Sequence, residues 1–342
     1  MAFAEQRRTS DDTSTKALVM RTGKVNKDET THEVTIEWSE LQPVKKAHLC
    51  GHRPMNPCPV YEKTSQTLFL FFICVRGTIS ERWQRKWGCN KARLCYVKTE
   101  DAGQSWSDVT DLTDTLAEIK RWATFAVGPG HGLQTESGTL IVPLYAYAFC
   151  SISHALYLYS DNKGETWQFG KELQPHSVEC EMAEVCDDTG LRFIYCNARS
   201  EGSYRVEACD TPDGFIALQS AEKLVETGKG CQGSVVSFPA QSEDANAEGE
   251  PRQKPHEWLL FTHPSSGSER ADLGVYLNKC PSNPNAWTKP WIINSGPSGY
   301  SDLAYIHDGW FACLMECGEQ RETEQIAYKI FSYKEVKQGV GE

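Results

Sequence analysis

The sequence predicts an all-β fold of β-propeller type, on three observations. Short strand-like runs dominate it, helical periodicity is nearly absent, and one turn motif recurs at a spacing that suits a four-stranded propeller blade. The runs are TLFLFFICV at 67–75, ARLCYVKT at 92–99, TLIVPLYAY at 139–147, ALYLYS at 155–160, LRFIYCNA at 191–198, GSVVSF at 233–238, EWLLFTH at 257–263 and LGVYLN at 273–278. They are rich in β-branched and aromatic residues, and Gly, Pro, Asp, Asn or Ser bounds most of them. The best helical candidate is the short stretch 111–122 (DLTDTLAEIKRW).

The repeat decides among sandwich, barrel and propeller. Residues 99–106 read TEDAGQSW and residues 160–167 read SDNKGETW, about sixty positions apart. Both fit Ser/Thr-x-Asp/Asn-x-Gly-x-Ser/Thr-Trp, and each follows a strand. The chemistry is that of a tight hairpin: the Asx side chain caps backbone N–H groups, and Gly takes the positive φ. The hydroxyl pins the turn while the Trp packs beneath it. Unrelated Asp-x-Gly turns are common, but a Trp shared at one offset separates this pair from them. An eroded third copy is expected at 210–215 (DTPDGF).

Length and composition narrow the class. A chain of 342 residues that is 39% hydrophobic and 11% aromatic buries a large core, and is expected to form a single domain over 1–342. Residues 239–257 (PAQSEDANAEGEPRQKPHE) are polar and Pro-punctuated, as in a disordered surface loop. A net charge of −11 argues against nucleic acid, which wants a basic face. The 14 cysteines are scattered, with no Cys-x-x-Cys and no zinc spacing, and the opening MAFAEQRRTSDD has no apolar h-region. They are therefore expected to be reduced thiols in a cytosol-facing protein. The longest apolar run, 68–75, is too short to span a bilayer, so any membrane association is expected to be peripheral.

Ordered motifs then carry a resemblance to a family. AFAEQR at the start, GHRPMNPCP at 51–59, WATFAVGPGHG at 122–132, VECEMAEV at 178–185, GCQGSVVSF at 230–238, RADLGVYLN at 270–278 and GYSDL at 299–303 together resemble the animal cytosolic and plasma-membrane sialidases. The turn repeats resemble that family's Asp boxes. FFICVRG at 71–77 and CGEQRETEQIA at 317–327 are most similar to the plasma-membrane, ganglioside-preferring type. The resemblance implies a six-bladed β-propeller, and a retaining exo-α-sialidase acting on sialylated glycolipids and glycans. It implies no cofactor and no metal. It places the protein peripherally at the plasma membrane, also at endosomal or lysosomal membranes, with the cytoplasm as alternative.

The substrate class explains the residue types. Sialic acid carries a carboxylate on the carbon that is attacked, so a carboxylate nucleophile would meet like charge; a neutral tyrosine avoids this, and sialidases are exceptions to the two-carboxylate rule of glycosidases. The resemblance gives Tyr300 as nucleophile and Glu179 as its base, with Glu181 and Glu184 close enough to stay open as alternatives. It gives Asp12 as general acid, Asp11 being the adjacent confusable residue. Planar bidentate donors suit the sugar carboxylate, and Arg199 and Arg270 match two arginines of the family's triad, with Arg7 lining the same side. Tyr145, Tyr147, Met55, Asn56, Glu81 and Gln232 match further pocket positions, and plain packing is an equal reading for Met55 and Tyr147. His131 is read as a structural loop residue.

The family's first arginine, in a Tyr/Phe-Arg-Ile-Pro segment ahead of AFAEQR, has no counterpart here, and a first strand is expected to be missing with it. A lost charge-assisted pair is worth about 1.5–3 kcal/mol or more, so this polypeptide is expected to have reduced or no activity. The alternative function is an impaired Asp-box propeller that binds sialic acid or proteins. Turnover compared with and without a restored N-terminal segment tests the expectation, and equal rates would reject it.

Overall fold

The computed structural model describes all residues except 29, 32, 149–151, 174–175, 212–213, 220–221 and 242–255. The chain divides into two compact units, Met1–Cys180 and Glu181–Glu342, with the boundary inside the strand Ser177–Cys186.

The first unit is built from antiparallel sheets whose strands follow one another in sequence. Ala2–Arg7, Thr15–Arg21 and Gln42–Pro43 form a three-stranded sheet, and Gly23–Lys27 pairs with Val34–Trp38 as a separate hairpin. His52–Glu62, Thr67–Arg76, Ala92–Thr99 and Thr110–Asp111 form a four-stranded sheet. Trp122–Val127, Leu140–Ala148, Ser153–Ser160 and Gln168–Phe169, with Leu133–Gln134 alongside, form a five-stranded one.

The apolar run at 68–75 shows why such sheets stack. Along Thr67–Arg76 side chains alternate between faces. Phe69, Phe71, Ile73 and Val75 enter one core with Phe125, Leu144 and Leu158, while Leu70, Phe72 and Cys74 enter another with Leu18, Met20 and Val97. A strand buried on both faces has no polar side, so it reads as a continuous apolar run.

The two complete turn repeats are alike contact for contact. Thr99 Oγ1 donates to Asp101 and accepts from Gly103 N, while Asp101 accepts from Ser105 N and Oγ. Ser160 Oγ donates to Asn162 and accepts from Gly164 N, while Asn162 accepts from Thr166 N and donates to its hydroxyl. Gly103 and Gly164 take φ of 84° and 85°. Each turn leans on the preceding sheet: Trp106 meets Phe3 edge-on at 6.1 Å, and Trp167 meets Phe71 at 4.7 Å and Phe69 at 5.7 Å.

The second unit continues the pattern. Ser177–Cys186, Arg192–Ser200, Val206–Thr211 and Gly214–Ala217 form a four-stranded sheet. Its last hairpin joins Asp210 to Phe215 and Thr211 to Gly214, so the eroded repeat falls on a connection whose centre lies outside the described residues. Ser234–Pro239, Glu257–Pro264, Ala271–Asn278, Trp291–His307, Trp310–Cys317 and Gln325–Ser332 then run on as one six-stranded sheet. Trp287, without the full motif, meets Phe261 at 5.9 Å and Tyr195 of the preceding sheet at 6.3 Å.

The all-β class holds, and the sheets are of the up-and-down kind that propeller blades use. Three expectations are corrected or left open. Among the described residues, five multistranded sheets of blade type are present where six blades were expected. The 17-residue strand Trp291–His307 pairs with Ala271–Asn278 up to Pro297 and with Trp310–Cys317 from Ser298 onward, which fuses what would be two sheets. The best helical candidate, 111–122, holds only a 3-10 turn, Ala117–Arg121, and Thr110–Asp111 pairs as a strand. Among the described residues the α-helices are Glu81–Trp87, capped by Ser80, and Tyr333–Val340, with a Ser332/Glu335 capping box. Most of 239–257, expected to be a disordered loop, lies outside the described residues.

Trp167→Ala should cost about 3–5 kcal/mol, the usual loss for a buried Trp. Chemical denaturation checks this, and an effect under about 1 kcal/mol would show that the turn does not fasten the sheets.

Candidate active site

In the first unit Arg7, Asp12, Met55 and Asn56 lie on or beside the first two sheets, while Glu81, Tyr145, Tyr147 and Glu179 lie on later elements. Asp11 caps the 3-10 turn Asp12–Ser14, accepting from Thr13 N at 2.8 Å, which assigns it a local structural task. Asp12 keeps contact with solvent, yet the surrounding protein pushes its carboxyl pKa up; a hydrogen bond with Asp11 adds to this, and Arg7 pulls the other way and loses. The adjacent carboxyls are thereby set apart, for backbone and side-chain hydrogen bonds from Thr13 bring Asp11 below the usual range.

Glu5, which the sequence reading did not single out, organises this corner. It lies two positions before Arg7 on the strand Ala2–Arg7 and so shares its face. Glu5 Oε2 accepts from Arg7 Nε at 2.9 Å and from Thr15 Oγ1 at 3.0 Å, and its Oε1 accepts from Asn56 N at 2.8 Å. Asn56 has φ of 56° and sits in the bulge between Met55 and Cys58. Arg53, also not singled out, is 6% exposed and donates to the Gly77 and Ile79 carbonyls, at 2.7 Å each. Asp12, Glu5 and Asp11 all act on its charge.

A second group surrounds Glu81. Tyr145 Oη donates to Glu81 Oε2 at 3.1 Å, the Arg85 guanidinium lies 3.9 Å above the Tyr147 ring, and the two tyrosines meet edge-on at 6.0 Å. Burial raises the pKa of Glu81; Arg85 and the Tyr145 hydroxyl oppose this, and the nearby charge of Glu179 adds to it. Glu179 is 6% exposed. Met55, Tyr145 and Tyr147 all belong to the large apolar core, so packing is part of their task. His131 is half-buried in the loop before Leu133–Gln134.

In the second unit Tyr300 sits in the bulge between Ser298 and Ser301, and its N–H donates to Glu316 Oε2 at 3.1 Å. The Arg270 guanidinium lies 5.2 Å from the Tyr300 ring centroid, and its Nη1 is 3.9 Å from Glu322. Arg270 Nη2 donates to Gly230 O at 2.9 Å, and Arg199 Nη2 donates to Lys229 O at 2.6 Å. The two guanidiniums thus rest on neighbouring carbonyls of one loop. Gly230 is required there: its φ is 82°, and a Cβ would come within 2.5 Å of Arg199 Nε.

The open alternatives to Glu179 have other work. Glu181 is fully buried and accepts from Ser234 Oγ at 2.7 Å, Val235 N at 3.0 Å and Gln232 Nε2 at 3.3 Å. Gln232 Oε1 in turn accepts from Ser301 N at 3.1 Å, so this amide fastens the residue after Tyr300. Glu184 points to the opposite face of its strand and lies 3.7 Å from Arg192.

The BNR repeat-like domain family matches residues 1–313. Sialidase-3 of Homo sapiens is 43% identical, over 98% of this chain and 86% of its own length. Sialidase-2 of Cricetulus griseus is 42% identical, over 98% of this chain and 89% of its own. Among solved structures, the Hadza microbial sialidase Hz136 has a TM-score of 0.72 at 18% identity, over 93% of this chain and 60% of that one. Trypanosoma rangeli sialidase has a TM-score of 0.64 at 16% identity, over 94% of this chain and 53% of that one, and at such identities the likeness concerns fold alone.

Glu5→Ala removes the acceptor for Arg7, Thr15 and Asn56 N together. It should lower stability by about 1–3 kcal/mol, read by urea denaturation; no change would mean that the Glu5 hydrogen bonds do not organise the corner.

Proposed function

Because the chain belongs to the animal sialidase family, as its identity to Sialidase-3 and Sialidase-2 over nearly its whole length shows, we propose that it is a retaining exo-α-sialidase with a tyrosine nucleophile. The observation that carries this reading is the pair of guanidiniums, Arg199 and Arg270, set on the adjacent carbonyls of Lys229 and Gly230 with the Tyr300 phenol beside Arg270. Fixed planar donors of this kind suit a carboxylate, and a neutral phenol suits attack on the carbon that bears it.

The roles follow from the chemistry. Tyr300 Oη attacks the anomeric carbon while Glu179 takes the phenol proton, and Asp12 gives its proton to the leaving glycosidic oxygen. Water then opens the tyrosyl–sugar bond: Asp12 receives its proton and Glu179 returns one to the phenol oxygen. A general acid must carry its proton at the working pH, and the raised pKa of Asp12 favours that form. Arg7, Glu81, Tyr145, Tyr147, Met55, Asn56 and Gln232 are the proposed sugar-contacting or supporting residues.

The substrates are proposed to be terminal sialic acids on glycolipids and glycoproteins, met by peripheral contact with the plasma membrane. No helix of the described residues is long and apolar enough to cross a membrane.

Hydrolysis of a fluorogenic sialoside tests the reading. Tyr300→Phe should abolish steady-state turnover, and Asp12→Asn, assayed on a sialyl oligosaccharide with its natural leaving group, should lower turnover by about 10²–10⁴-fold. The rate should fall as pH rises through the Asp12 pKa. Because Asp11 helps raise that pKa, Asp11→Asn should move this limb to lower pH. Sialoside binding without turnover in the unaltered chain would replace the enzyme by a lectin.

A further inference from the structure

The loop 227–231, whose carbonyls receive the two arginines, is irregular, and a buried carboxylate ties its two ends together. Glu226 is 4% exposed. Its Oε1 accepts from Thr227 N and from Cys231 N, each at 3.1 Å, so both ends of the loop meet on one oxygen. Its Oε2 accepts from Ser200 N, next to Arg199, at 3.2 Å and from Arg205 Nη1 at 3.1 Å. His263 Nε2 lies 2.9 Å from Oε1. Between the two ends, Lys229 O receives Arg199 and Gly230 O receives Arg270. Thr227 Oγ1 donates to the carbonyl of Glu269, the residue before Arg270.

Arg205 is fixed as firmly as its partner. It is 3% exposed, and it donates to Asn197 Oδ1 at 2.7 Å and to Cys231 O at 2.5 Å. Asn197 Nδ2 donates to Tyr195 Oη at 3.1 Å, and that hydroxyl donates to Glu207 Oε1 at 2.6 Å. Tyr195, Asn197 and Arg199 alternate on one face of Arg192–Ser200, so this chain of polar groups runs along the strand toward Arg199.

Resting on the sialidase reading above, we propose that Glu226 is the positioning residue for recognition of the substrate carboxylate. Paired with Arg205, it sets the 227–231 loop, and the loop's two carbonyls set the spacing and direction of the Arg199 and Arg270 guanidiniums. Arginines held in place before the ligand arrives lose less side-chain freedom on binding, and their donors stay aimed at a planar anion. Burial works against the charge on Glu226, but Arg205, His263 and the backbone N–H donors outweigh it and hold the carboxyl well below the usual range. A carboxamide at this position would turn an NH2 toward N–H donors and a guanidinium.

The test compares a carboxylate probe with its neutral twin on the full chain: a 2,3-unsaturated sialic acid and its methyl ester, each as an inhibitor of sialoside hydrolysis. In Glu226→Gln the inhibition constant of the acid should rise on the order of tenfold to a hundredfold, as for loss of charge-assisted hydrogen bonds. That of the ester should change about twofold at most, and KM should rise more than kcat falls. Thr227→Val leaves the Glu226–Arg205 pair intact and cuts the tie to Glu269, so it should give the same selective loss at smaller size. It decides the matter if Glu226→Gln does not fold. A folded variant that weakens acid and ester equally, or keeps the parental acid-to-ester ratio, overturns the proposal. A parent chain that does not prefer the acid overturns the sialidase reading instead.

Discussion

Strands of this chain such as Thr67–Arg76 and Glu257–Pro264 bury both faces, and that constraint shapes the rest. A strand such as Thr67–Arg76, apolar on its two sides, is stable only with a core on each. Stacked sheets have no covalent reason to keep their spacing, and the tryptophan turns supply a local one. Trp106 and Trp167 each close a hairpin of their own sheet and bury the indole against the sheet before it. Trp287 does the same in the second unit with an eroded turn, which suggests that the aromatic contact matters more than the turn sequence.

Within this stiff framework, several of the proposed site residues lie where pairing breaks. Arg7 lies at a register shift, Asn56 in the bulge after Met55, Arg270 beside the shift between Ala271 and Leu273, and Tyr300 in the one between Ser298 and Ser301. A bulge adds a residue to one strand and turns its side chain off the regular alternation, a common arrangement beside active sites. Electrostatics follow the same economy. In a chain of net charge −11, the arginines of interest rest on carbonyls or carboxylates that fix them while their charge remains.

The strands were legible in the sequence because their signals are local. Alternation, aromatic content and Gly or Asn punctuation lie within each run, and the turn motif fixes its own hydrogen bonds over eight residues. The matched motifs also brought out Arg199 and Arg270, which rest on one loop, and Tyr300, whose ring lies beside Arg270. What stayed hidden depends on partners far along the chain. Glu5 matters through Asn56, and Glu226 through Arg205 and His263, and no spacing rule joins those pairs. The helical candidate 111–122 shows the reverse case, a local pattern that holds only a 3-10 turn while Thr110–Asp111 pairs as a strand. The motif match favoured Asp12 over the adjacent Asp11, and the structure gives Asp11 a capping bond from Thr13 N.

The long strand Trp291–His307 changes partners between Pro297 and Ser298, two residues before Tyr300. An inserted or deleted residue there has no loop in which to hide. It would rotate everything downstream by half a period, exchanging inward and outward side chains along the ladder with Trp310–Cys317. Segment length between Trp291 and His307 is therefore under tighter geometric control than the identity of most of its amino acids. Grafts and tags belong elsewhere in the chain.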